Sequence, residues 1–90
     1  MKPIRYTEHA LTNFKDREIQ KEEVEQALTQ PEKIEAGHSG RQIYMKRYQD
    51  AVLDQKMLLR IIVEESETEM VVITAYKTSQ IERYLKGDKT

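Results

Sequence analysis

Ninety residues are enough for one small α+β-sized domain and too few for two. The absence of cysteine excludes a disulfide framework and a thiolate metal site, and hydrophobic and charged shares of 38% and 34% exclude a chain disordered throughout. A formal net charge of −1 excludes a generally basic nucleic-acid binder, so any such site must be a local patch on a near-neutral body.

The opening MKPIRYTEHA carries no apolar signal core, and no apolar run reaches membrane-spanning length. The expectation is a soluble, cytoplasmic protein without a membrane partner, folded as a single domain with its core over about 4–85.

KPIRY reads as a short extended lead, because Pro3 opposes a regular helix there. Thr7 is a plausible N-cap and Glu8 a favourable first-turn charge, so Thr7 to about Asp16 is predicted as the first helix, with Ala10, Leu11 and Phe14 on its apolar face. The same segment places His9, Asn13 and Arg17 four residues apart, on one drifting polar stripe. Ile19 staples the tight link REIQ. KEEVEQALTQ is the second helix, with Val24, Ala27 and Leu28 at i, i+3, i+4 and Pro31 as its stop.

The period then changes. EKIEAG alternates briefly and stops at Gly37, and HSG is a turn. RQIYMKRY alternates Arg41, Ile43, Met45 and Arg47 against Gln42, Tyr44, Lys46 and Tyr48. KMLLRIIVEE and EMVVITAYK are strong strands, apolar on both faces and therefore central. TSQIERYL reads as a short final helix and KGDKT as a polar tail. The predicted architecture is α+β: two N-terminal helices packed on a three- to four-stranded, mainly antiparallel sheet, with a short C-terminal helix.

Metal chemistry has little to stand on. His9 and His38 are the only histidines, and no two-histidine helix motif is present. No cofactor is expected. Three features admit a functional reading beside a structural one. His9 is either a helix residue bonded to a backbone carbonyl or a general acid/base, since imidazole titrates near neutral pH. Arg60, set mid-strand between Leu58 and Ile62, is either half of a structural ion pair or a cation offered to an anionic ligand. Thr74 and Tyr76 share one strand face, and Ala75 and Lys77 the other; this end of a strand is either an ordinary junction or a ligand-facing edge.

The segments YTEHALTNFKDREIQKEEV, PEKI, LLRIIVEE and VVITAYKTSQIERY together resemble the bacterial domain-of-unknown-function family 4258, over roughly residues 6 to 84. That family is similar to toxins of the RelE/BrnT type, small α+β domains. The resemblance implies a metal-independent endoribonuclease that cuts RNA by attack of a 2′-oxygen on the adjacent phosphate, restrained by an antitoxin partner. Carried onto this chain, it implies His9, Arg17, Arg60 and Tyr76 as catalytic residues and Arg41, Thr74 and Lys77 as RNA-binding ones. The alternative on the same fold is a non-catalytic protein-interaction module, which the near-neutral charge favours.

Overall fold

The computed structural model describes residues 2–85, so the tail predicted over KGDKT lies outside the described residues. The first helix, α1 (Glu8–Asp16), begins where a threonine hydroxyl can take an orphan amide: Thr7 Oγ1 accepts from the Ala10 N–H at 3.0 Å. It ends in a paired closure in which the Ile19 N–H reaches the Phe14 carbonyl (2.8 Å) and the Glu18 N–H the Lys15 carbonyl. That closure needs a left-handed residue, and the chain places Glu18 there at φ 55°. A glutamate has a Cβ that this conformation disfavours, whereas glycine has none. Glu18→Gly is therefore expected to raise the unfolding free energy by about 0.5–1 kcal/mol, read as a higher urea midpoint at unchanged slope.

Helix α2 (Lys21–Thr29) starts after Gln20, whose N–H donates to the Glu23 carboxylate at 2.9 Å. Ala10, Phe14, Ile19, Val24, Ala27 and Leu28 from the helical layer bury themselves on one face of the sheet. That face supplies Tyr44, Leu59, Ile61, Val63, Met70, Val72 and Ala75. Removing these apolar groups from water does most to hold the two layers together.

The sheet corrects the expectation in two respects. It has five strands rather than three or four, in the order β1-β5-β4-β3-β2, and the pairing of β1 with β5 is parallel, which makes a mostly antiparallel sheet mixed. The strands are β1 (Ile4–Tyr6), β2 (Lys33–Ala36), β3 (Gln42–Asp50), β4 (Gln55–Glu65) and β5 (Met70–Thr78). The lead segment KPIRY is the source of the difference. Ile4, Arg5 and Tyr6 pair in parallel with Met70, Val71 and Val72, a partnership that three residues cannot announce by alternation. The short β2 fixes the other edge through the register Lys33↔Met45 and Glu35↔Ile43. The α+β class itself stands. Helix α3 (Ile81–Leu85) completes the described chain.

Because β1 stops at Tyr6, β5 continues beyond it with an open edge. Helix α1 covers that edge: the Thr74 hydroxyl donates to Asn13 Oδ1, and Arg17 Nη1 donates to the Ala75 carbonyl at 2.7 Å. Arg17 thus satisfies a backbone carbonyl that the open edge leaves without a strand partner, and Asn13 ties α1 to the strand through the Thr74 side chain.

Candidate functional site

A side-chain period of two splits β4 between the faces. Leu59, Ile61 and Val63 face the helices, so Leu58, Arg60 and Ile62 face away. The register places Lys33, Met45, Arg60 and Tyr76 directly opposite one another across β2, β3, β4 and β5. Glu35, Ile43, Ile62 and Thr74 form the next such row. The candidate site is the part of this far face centred on Arg60.

Arg60 is only 8% exposed, and a charge so placed must be partnered. Its Nη1 donates to the Tyr76 hydroxyl oxygen, and its Nε lies 3.4 Å from the Met45 sulfur. Nη2 lies 3.6 Å from a Glu35 carboxylate oxygen, a loose pair with a half-exposed partner. The Tyr84 ring of α3 stacks on the guanidinium, with 4.1 Å from Arg60 Cζ to the ring centroid, and the Tyr76 ring is at 5.4 Å. Lys33 Nζ holds the Tyr84 carbonyl at 3.0 Å. The two readings of Arg60 therefore meet in one place: it is ion-paired, and its pairing groups sit at the surface.

The residues singled out from the sequence divide into three groups. Arg60 and Tyr76 touch, and Thr74 stands one row away on the same face. Arg41 precedes β3 in extended backbone, so it continues the Ile43–Met45 side; its Nε is buried and without a hydrogen-bond partner. Arg17 and Lys77 are engaged elsewhere. Arg17 caps the β5 edge, and Lys77 points to the helix-side face, where Nζ meets Asp50 Oδ2 at 2.7 Å and the Glu18 carbonyl at 3.2 Å. His9 is exposed in the first turn of α1, and its side chain makes no hydrogen bond or ion pair among the described residues. No contact joins it to Arg60; its link to the far face runs through Asn13, one turn on, and the Asn13–Thr74 bond.

Sequence reasoning does not reach Lys33, Glu35 and Met45, although the alternation of EKIEAG and RQIYMKRY carries the signal for all three once the register is known. Nor does it reach Asp50. That carboxylate is 2% exposed and accepts from the Lys77 ammonium, the Tyr48 hydroxyl (2.9 Å) and the Val52 and Leu53 amides (2.9 and 3.0 Å). Burial opposes its ionisation, but Lys77 and these donors outweigh it and hold the carboxyl down at about 2.

The same far face holds a cavity of about 610 Å³ near α3, lined by Glu32, Arg47, Lys56, Ser79, Ile81 and Glu82. None of the sequence-selected residues lines it. Its cations and carboxylates are equal in number, and Arg47 grips Glu32 through two nitrogens (Nε–Oε1 3.1 Å, Nη2–Oε2 2.7 Å). That grip is the main reason the Glu32 carboxyl falls to about 2. The chemistry-bearing residues are thus beside the cavity rather than in it. Among the described residues, no three His, Asp or Glu side chains group as metal ligands. No helix there is long and apolar enough to cross a membrane.

Over residues 6–77 the chain matches the family model described as a domain of unknown function, DUF4258. The protein belongs to the DUF4258 family. The matched span runs from the end of β1 through nearly all of β5 and contains His9, Arg17, Arg41, Arg60, Thr74, Tyr76 and Lys77. Helix α3, which brings Tyr84 onto Arg60, lies beyond the DUF4258 match. No curated protein and no solved structure matched the chain.

Proposed function

We propose that the far face of the sheet binds an RNA phosphodiester and cuts it without a metal, with Arg60 and Tyr76 at the reaction centre. The observation that carries this reading is the Arg60–Tyr76 pair: a forked cation and a proton-bearing hydroxyl joined on the sheet face opposite α1 and α2. The resemblance to RelE/BrnT-type toxins supports it. In the reaction the 2′-hydroxyl loses its proton, the P–O2′ bond forms, the P–O5′ bond breaks, and the departing 5′-oxygen gains a proton. Arg60 and Arg41 supply planar forks to the phosphate as its charge grows. Tyr76 carries one proton and Thr74 positions the ribose-phosphate chain. The second proton passes through His9 or through solvent. Arg17 and Lys77 serve by fixing the β5 strand that presents Tyr76. The reading sets the protein in the cytoplasm, with an antitoxin that masks this face.

His9→Ala separates the two proton routes. An exposed, unpartnered side chain should leave thermal stability within about 0.5 kcal/mol. Cleavage of a single-stranded RNA in chelator falls at least about 100-fold if His9 is the second carrier. Unchanged cleavage removes His9 from the chemistry and leaves the Arg60–Tyr76 centre.

A second reading, a non-catalytic interaction module, has one specific observation in its favour. The β3–β4 turn exposes Val52 and Leu53, at 55% and 48%, on a tip whose amides donate to Asp50. Expression of the chain alone in bacteria discriminates the two: growth arrest with RNA loss belongs to the ribonuclease, and healthy cells with abundant protein belong to the module.

A further inference from the structure

Every side of the Arg60 guanidinium that could receive a phosphate is already taken. A carboxylate stands at Nη2, and an aromatic ring has its centroid 4.1 Å from Cζ. An anion at the edge and a ring on the plane are also the two groups that a nucleotide presents, as phosphate and base. We propose that the Arg60 cradle is a one-nucleotide subsite filled in the free protein by the chain's own Glu35 and Tyr84, and that RNA enters by displacing α3. The inference rests on the RNA-directed reading of this face and adds how the substrate reaches it.

The two stand-ins are held in a manner that permits exchange. The Glu35 oxygen is 3.6 Å from Nη2, well beyond the roughly 2.7–2.9 Å of a tight charge-assisted bond, and its side chain is 45% exposed. A phosphate offers more charge and several oxygens to the same fork. Tyr84 rides on a helix of five residues, none of them buried. Such an element opens at the low end of the local stability range. Lys33, which now holds the Tyr84 carbonyl, lies in the same cross-strand row as Arg60. Once α3 leaves, its ammonium is free to meet the next phosphate along the strand. Tyr76 stays in place under the guanidinium throughout, because β5 pairs with β4 on both sides of it. The stack therefore trades one ring for another while the reaction centre is unchanged.

The test uses the full chain with a short 2′-O-methylated single-stranded oligoribonucleotide, which lacks the nucleophile and is not cut. Amide hydrogen exchange over residues 81–85 should speed up when the oligonucleotide binds. Tyr84→Ala and Glu35→Gln should each tighten binding about two- to tenfold, because neither group then competes for Arg60. Slower exchange over 81–85 on binding, or weaker binding in both variants, overturns the proposal, and so does an absence of any binding. If exchange speeds up and both variants bind more tightly while the wild type cuts no unmodified RNA, the subsite stands and the ribonuclease reading falls.

Discussion

Replacing Tyr76 by phenylalanine should lower the rate of RNA cleavage by about 10²–10⁴-fold, the usual worth of a positioned proton carrier. The substitution removes one oxygen and keeps the ring 5.4 Å from the Arg60 carbon. Binding, which depends on Arg60, Arg41 and stacking, should change far less, so the loss should appear in kcat with KM nearly constant. The variant also leaves Arg60 Nη1 without its hydroxyl acceptor, at a cost of about 1–3 kcal/mol in stability. Cleavage must therefore be compared well below the melting transition. A KM effect alone would move Tyr76 from the chemistry to the binding surface.

The largest effect on stability is expected at Asp50. Asp50→Ala strips the partner from the Lys77 ammonium, the Tyr48 hydroxyl and two turn amides at once. Breaking a buried ion pair by removing one member costs about 3–5 kcal/mol, a large part of what a small domain has. Lys77→Met should cost a similar amount, because it leaves the buried carboxylate with its neutral donors but without a counter-charge. The double variant should lose less than the sum of the two, since neither charge is then stranded. Acid exposes the same pair. The folded-state pKa of Asp50, about 2, lies below its unfolded value of about 4. The stabilisation is therefore complete above about pH 4 and is lost as pH falls toward 2. Glu32, held at about 2 by Arg47, adds to the loss over the same window. Acid-induced unfolding followed by circular dichroism should begin below about pH 4 in the wild type, and Asp50→Ala should flatten that dependence. An unchanged acid transition in Asp50→Ala would show that the pair does not set the acid stability.

Helices α1 and α2 and the three long strands were legible because each repeats its period at least twice. Thr7, Glu8 and Pro31 mark ends by chemistry that acts locally. β1 was not legible: Ile4 meets Met70, and nothing within three residues encodes a partner that distant. The same distance hid the work of the α1 stripe. Its spacing is plain in the sequence, but that Asn13 and Arg17 serve the β5 edge follows only from where β1 stops. Arg60 and Tyr76 stood out as a charge and a hydroxyl in apolar strands, and one face could be assigned to each strand separately. Their meeting required the β4–β5 register, which a bulge between Ile62 and Val63 shifts by one residue. Asp50 gave no signal, because an aspartate beside a hairpin turn is ordinary and its burial depends on Lys77 from another strand.

The chemistry at the Arg60–Tyr76 face is written in the termini of the cut RNA. Single-stranded RNA incubated with the protein in excess chelator should yield fragments ending in a 2′,3′-cyclic phosphate and beginning with a 5′-hydroxyl, and Arg60→Lys should suppress them. Intact RNA, or fragments with 5′-phosphate and 3′-hydroxyl ends, contradicts 2′-oxygen attack at the Arg60–Tyr76 face.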